Sequence, residues 1–130
     1  MRTIRNYSDW MAEEIAKTYL LETGLLDIST PSDRKFDFVA IFKKDFNKVI
    51  AIEVKASKYR KSEILREYRT IRESYTMNRF PVIMFYINYI DKTGLIEVIQ
   101  EKLTDNLIPL TTDNLIKEIE KITTPNRGLA

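Results

Sequence analysis

The chain has 130 residues, of which 44% are apolar and 31% charged, and its formal net charge is +2. This length and composition are typical of one globular domain and exclude a disordered chain. The sequence contains no His, no Cys and only three Gly. It therefore excludes a Ser-His-Asp triad, a thiolate metal site and a glycine-rich phosphate loop. Any catalysis must use carboxylates, lysine, hydroxyl groups or a metal held by oxygen ligands.

The N-terminal segment has no apolar signal core, and the longest apolar stretch, 80–90, is too short to cross a bilayer. We therefore expect a cytoplasmic protein without a membrane partner. The predicted elements follow one another through short connections, which favours a single domain over 1–124 and a loose tail over 125–130.

The first predicted element is a helix over 8–23, with Ser8 as its N-cap and Gly24 at its C-terminal end. Its apolar face is predicted to hold Ala12, Ile15, Ala16, Tyr19 and Leu20. Three strands follow, over 25–29, 36–42 and 49–55. The polar segment 43–48, which contains Asn47, predicts the hairpin turn between the last two strands.

The second half of the chain predicts a helix over 63–76, a strand over 82–90 buried on both faces, a turn at 91–94, a strand over 95–100 and a final helix over 113–123. The order α-β-β-β-α-β-β-α indicates an α/β (α+β) fold. A single mixed sheet flanked by helices accommodates this order.

Charged residues interrupt two of the apolar strands. Glu53 and Lys55 are two residues apart in the third strand, so they lie on one face, roughly 6.6 Å apart along the strand. Asp37 lies on the second strand, on the face of Val39 and Ile41. If the two strands pair as a hairpin, Asp37, Glu53 and Lys55 meet at one end of the sheet. Two carboxylates and a backbone carbonyl would suit magnesium, which prefers oxygen ligands.

The first helix supplies a further carboxylate. On a helical wheel, Glu13 falls beside Leu20 at the edge of the apolar face, whereas Glu14 points nearly opposite. We therefore expect Glu13 to lean toward the sheet and Glu14 to be solvated.

Together, Glu13 on the first helix, Asp37 on the second strand and Glu53-Val54-Lys55 on the third resemble the PD-(D/E)xK nuclease superfamily. The predicted element order is similar to the restriction-endonuclease-like αβββαβ core of that superfamily. The stretch 12–25 resembles the first helix of its Holliday-junction resolvases. The resemblance covers about residues 8–90.

The resemblance implies a metal-dependent DNA endonuclease. Asp37, Glu53 and the carbonyl of Val54 would bind Mg²⁺ or Mn²⁺, Lys55 would position the attacking water, and Glu13 would bind metal or water. The implied reaction hydrolyses a phosphodiester in double-stranded or branched DNA and leaves a 5′-phosphate. A homodimer would cut two strands symmetrically.

Two features depart from the family pattern. The proline that usually precedes the aspartate is absent, because Phe36 stands before Asp37. The segment 33–35 is a rival D-x-K triplet, which we set aside because it falls in a polar loop.

Basic residues are concentrated after the third strand. Between Lys55 and Glu73 there are seven basic and three acidic residues, whereas between Glu97 and Lys121 six acids face three lysines. This asymmetry predicts one face for a polyanion. The predicted nucleic-acid-binding residues are Lys58, Arg60, Lys61, Arg66, Arg69 and Arg72.

Simpler interpretations remain open at this point. Glu53 and Lys55 would also fit a surface ion pair, Asp37 a turn-capping carboxylate, and Glu13 a solvated helix surface. The alternatives to an enzyme are an inactive nucleic-acid- or protein-binding module on the same fold and a structural or regulatory domain. Trp10, at the start of the first helix, is interpreted as a packing residue or a dimer contact.

Overall fold

Two helices and six strands form the part of the fold that the computed structural model describes, residues 7–29, 37–56, 81–99 and 107–123. In chain order they are α1 (Tyr7–Glu22), β1 (Leu26–Ser29), β2 (Phe38–Phe42), β3 (Asp45–Ala56), β4 (Val82–Asn88), β5 (Thr93–Ile99), β6 (Ile108–Pro109) and α2 (Thr112–Thr123).

The strands form one mixed sheet in the order β1-β2-β3-β4-β5-β6. Strands β3 and β4 run parallel, and the other neighbouring pairs run antiparallel. The predicted α+β class, the mixed sheet and the hairpin of β2 with β3 are therefore confirmed.

The larger core lies between the helices and one face of this sheet. Leu20 of α1 and Leu115 of α2 are fully buried against it. The alternate residues Ile50, Ile52 and Val54 of β3 line the same face, as the alternation predicts. Burial of these apolar side chains anchors α1 across β1, β3 and β4.

The opposite face of the sheet carries a second buried cluster. It consists of Ala51, Val82, Met84, Tyr86, Ile99 and Leu107. Because β4 contributes to both clusters, it is buried on both faces, as its uninterrupted apolar sequence predicts.

The ends of α1 differ slightly from the prediction. The helix begins at Tyr7, so Ser8 lies inside its first turn and the prediction that Ser8 is the N-cap is wrong. At the other end, Gly24 adopts φ +73° and its N–H donates to the carbonyl of Leu21 over 3.1 Å, which confirms it as the helix terminator.

The turn between β2 and β3 is shorter than predicted. Only Lys43 and Lys44 separate the strands, and β3 already begins at Asp45. The predicted hairpin turn is therefore confirmed within 43–48, but its C-terminal bound is wrong. Asn47 lies within β3, where a register shift leaves residues 46–48 without pairing partners in β2. The polar start of β3 is a solvated strand end, because Phe46 and Asn47 are both exposed.

The C-terminal elements follow the prediction closely, with one addition. Strand β4 ends at Asn88, β5 begins at Thr93, and α2 begins one residue early at Thr112. Thr111 caps α2, since its hydroxyl accepts the N–H of Asn114 over 3.0 Å. The short β6 was not predicted.

Several predictions fall outside the described residues. These are the helix over 63–76, the loop over 30–35, residues 36 and 100 at predicted strand ends, and the tail over 125–130.

Candidate active site

The site begins with a contact between two strands. The carboxylate of Asp37, just before β2, accepts the backbone N–H of Val54 in β3 over 2.7 Å. The register of the two strands explains this contact. Phe38, the first residue of β2, is paired with Ile52, so β3 extends beyond the end of β2. Asp37 therefore binds the free edge of β3 at the point where pairing with β2 ends.

Glu53 and Lys55 lie on either side of Val54. The Lys55 ammonium is 3.6 Å from the Glu53 carboxylate, and the two side chains are 40% and 14% exposed, respectively. The pair thus places a mostly buried acid beside a cation that solvent or a ligand can reach. Asp37, Glu53 and Lys55 meet at one end of the sheet, as the alternation of the strands predicts.

The electrostatics of Glu53 are unusual for a surface carboxylate. Burial, followed by the negative charge of Asp37, raises the pKa of Glu53 from 4.5 to about 7. A side-chain hydrogen bond with Asp37 raises that pKa further, while the Lys55 ammonium opposes the rise. Two repelling acids are therefore held together, and a cation bound between them would relieve the repulsion.

The backbone of Val54 adds an oxygen to this group. The N–H and C=O of one strand residue point to the same side of the strand. Since the Val54 N–H meets Asp37, its carbonyl also points toward the β2 side and away from β4. Asp37, Glu53 and the Val54 carbonyl thus supply oxygen ligands at one place, which fits Mg²⁺ or Mn²⁺ with further water ligands.

Glu13 is buried on α1, with 7% of its surface exposed, as its place at the edge of the apolar face predicts. Glu14 is exposed, also as predicted, and it pairs with Lys17 over 3.4 Å. The Lys17 ammonium lies 5.5 Å from the centre of the Phe38 ring, so this part of α1 lies over the start of β2. The helix packs on the face of Ile52 and Val54, which is opposite the face of Glu53.

Within the described ranges, however, no three acidic side chains form a group that could hold a metal. The oxygen-bearing groups that the structure brings together here are therefore Asp37, Glu53 and the Val54 backbone.

Sequence reasoning missed two residues on the same face. Glu97 of β5 is 1% exposed and lies in one row with Glu53, with Met84 of β4 between them. Tyr86 of β4 is directly opposite Lys55 and is 2% exposed. Glu97 could have been singled out because it is the only acidic residue in the apolar strand sequence 95–99. Tyr86 could not, because an aromatic residue is ordinary in an apolar strand.

The predicted nucleic-acid-binding residues Lys58, Arg60, Lys61, Arg66, Arg69 and Arg72 lie outside the described residues. They stay a prediction from the sequence.

Neither of the helices in the described ranges is long and apolar enough to cross a membrane. The chain matches no known family in a scan of protein families, and it matches none of the curated proteins.

Proposed function

We propose that the protein is a metal-dependent DNA endonuclease of PD-(D/E)xK type on a restriction-endonuclease-like core. The observation that carries the proposal is the convergence of Asp37, Glu53 and the Val54 backbone, with Lys55 alongside. In this proposal, one hairpin provides oxygen ligands for a metal and a lysine ammonium beside them. The resemblance of the sequence to the nuclease superfamily supports the same assignment.

The raised pKa of Glu53 supports a cation at this place. Two neighbouring carboxylates inside a partly buried site destabilise each other, and structures rarely keep such a pair without a compensating charge. Lys55 supplies part of that charge at 3.6 Å from Glu53. Asp37, Glu53 and the Val54 carbonyl would hold Mg²⁺ or Mn²⁺, which would polarise a phosphate and lower the pKa of a bound water.

The residues have separate roles in the proposed reaction. Asp37 and Glu53 hold negative charge toward the ligand position, and the half-exposed Lys55 orients the attacking water and stabilises the negative charge that develops on the phosphate. The water oxygen bonds to phosphorus and gives up one proton, the bond from phosphorus to the 3′ oxygen breaks, and the 3′ oxygen takes up one proton, so the proton count balances. Glu13 of α1 is proposed to bind water at the site. The products carry a 5′-phosphate and a 3′-hydroxyl.

Cleavage of supercoiled plasmid and of a four-way junction tests this function, each with Mg²⁺, Mn²⁺ or EDTA. We expect metal-dependent cutting that falls by about a hundredfold or more in Glu53→Gln and Lys55→Ala. The matched controls are Glu14→Gln and Lys17→Ala, which remove the exposed acid and the partly buried lysine of α1. They should cut like the wild type.

Two outcomes would contradict the proposal. Equal cutting by Glu53→Gln and the wild type would indicate a contaminating nuclease. An absence of cutting with intact DNA binding would favour the inactive binding module.

A further inference from the structure

Tyr86 of β4 lies beside Lys55 of β3 on one face of the sheet. The register of the parallel pair places the two residues directly opposite each other. Neighbouring strands lie about 4.8 Å apart and strand side chains stand roughly perpendicular to the sheet, so the Tyr86 ring rises alongside the methylene groups of Lys55. The ring therefore takes up the space on the β4 side of the lysine.

Burial holds the Tyr86 ring in this place. Only 2% of the residue is exposed, and it packs in one cluster with Met84 of its own strand. Leu95, its partner in β5, packs against the same cluster. A tyrosine ring turns about only two side-chain bonds, whereas the 40% exposed Lys55 carries its charge on a flexible four-carbon stem. A fixed ring thus stands next to a flexible cation.

The two sides of Lys55 differ. Strand β2 begins at Phe38, which is paired with Ile52, so β2 does not extend as far along β3 as Lys55. Among the described strands, the direct neighbour of Lys55 is therefore Tyr86, on the β4 side. The Lys55 ammonium lies 3.6 Å from the Glu53 carboxylate, in the space that the ring leaves open.

We propose that Tyr86 is a positioning residue for Lys55, because its ring blocks the β4 side and keeps the ammonium next to Glu53. This inference rests on the proposed function and adds a residue to its machinery. A lysine that could turn over β4 would spend part of its time away from the attacking water and the phosphate. A misplacement of about 1 Å can cost about a hundredfold in rate. Tyr86 itself touches neither substrate nor metal.

Cleavage kinetics of three variants test this role. Tyr86→Leu removes the ring and should lower kcat about ten- to hundredfold, with KM changed less than about twofold, because Lys55 acts mainly in the transition state. Tyr86→Phe keeps the ring and should restore the wild-type kcat. The matched control is Phe85→Leu, which removes a fully buried ring from the same strand on the opposite face. It should lose stability and keep its kcat.

A double-mutant cycle shows whether Tyr86 acts through Lys55. In a Lys55→Ala background, Tyr86→Leu should cause no further loss of cutting, because the group that the ring positions is already gone. A further loss by the same factor would mean that Tyr86 acts on the fold or on another group, and the proposal would be wrong. Equal kcat values for Tyr86→Leu and Phe85→Leu would also overturn it.

NMR of the protein in EDTA, without DNA, separates this proposal from the nuclease itself. The Lys55 methylene protons, identified by their loss in Lys55→Ala, should show NOE contacts to the Tyr86 ring and a ring-current shift. Tyr86→Phe should retain the shift and Tyr86→Leu should lose it. A wild type with this signature that never cuts DNA would refute the nuclease and leave the contact in place. Cutting that depends on Glu53 without the signature would refute only the role of Tyr86.

Discussion

The carboxylate of Asp37 accepts the backbone N–H of Val54 over 2.7 Å, although the two residues are 17 positions apart in the chain. The bond joins β3 to the segment before β2, just beyond the last residue pair of the two strands, and places Asp37 against Glu53. One side chain thereby closes the hairpin and supplies half of the proposed ligand pair.

Replacing Asp37 should separate these two roles. In Asp37→Ala the Val54 N–H loses its acceptor, so the free energy of unfolding should fall by about 1–3 kcal/mol. Asp37→Asn keeps an acceptor oxygen and should lose less stability, but it removes the charge needed for metal binding. Urea denaturation and plasmid cleavage measure the two effects. Equal stability of both variants would show that the hydrogen bond contributes little.

The raised pKa of Glu53 predicts a specific dependence of stability on pH. Because the folded protein binds this proton more tightly than the unfolded chain, the contribution of Glu53 to stability is fully present below pH 4.5 and is lost as pH rises to about 7. In EDTA, Glu53→Gln should therefore raise the thermal midpoint above that of the wild type at about pH 8 and have a smaller effect at low pH.

Thermal unfolding of both proteins across this range checks the prediction. Glu14→Gln is the control, because its carboxylate is exposed on α1. A Glu53→Gln protein that is less stable than the wild type at about pH 8 would mean that the carboxylate is not strained in the folded state.

Metal should stabilise the wild type through the same two acids. A ligand that binds only the folded state at a concentration of a hundred times its dissociation constant adds about 2.7 kcal/mol. We therefore expect Mn²⁺ to raise the thermal midpoint of the wild type by several degrees and to leave Glu53→Gln nearly unchanged. Equal shifts in both proteins would indicate that the metal binds elsewhere.

Two glycines predict a contrast in stability. A Cβ at Gly94 would collide with the backbone carbonyl oxygen of Tyr86, whereas one at Gly24 would meet no atom within 4 Å and only the strain of φ +73°. Gly94→Ala should therefore cost more than the about 1–2 kcal/mol expected for Gly24→Ala. Chemical denaturation of both variants provides the test, and the reverse order would mean that the β4–β5 pair shifts readily.

The part of the site that depends on the alternation of side chains between the two faces of a strand was predictable from the sequence. A strand has two faces, so the spacing of Glu53 and Lys55 and the hairpin with Asp37 fixed which side chains share a face. The C-terminal bound of the turn was mispredicted because Phe46 and Asn47 are exposed, and solvated strand residues have the composition of a loop. The length of β3 is set by pairing with β2, where Phe42 lies opposite Asp45, and no local pattern records that pairing.

Long-range burial was harder to predict. From the sequence alone, the side of β5 that carries Glu97 could face either solvent or the protein interior. Only the assembled sheet shows that this side is buried. Strand β6 is only two residues long, which is too short for an alternating pattern of apolar residues to predict it. It forms by pairing with Leu95 and Ile96 of β5, the strand that would otherwise be at the edge of the sheet. Exposure of Trp10 likewise depends on how α1 lies on the sheet.

Among the six strands, β3 and β4 form the one parallel pair, and residues 57–81 must connect them. The hairpin of β2 and β3 has a two-residue turn, so it can close early at little entropic cost, while the parallel pair closes a much longer loop. Asp37 and Glu53 would then come together while the Glu53 carboxylate is still hydrated and ionised. The arrival of β4 would complete the burial and draw a proton onto the pair, so refolding near neutral pH should include a late step whose rate depends on buffer pH.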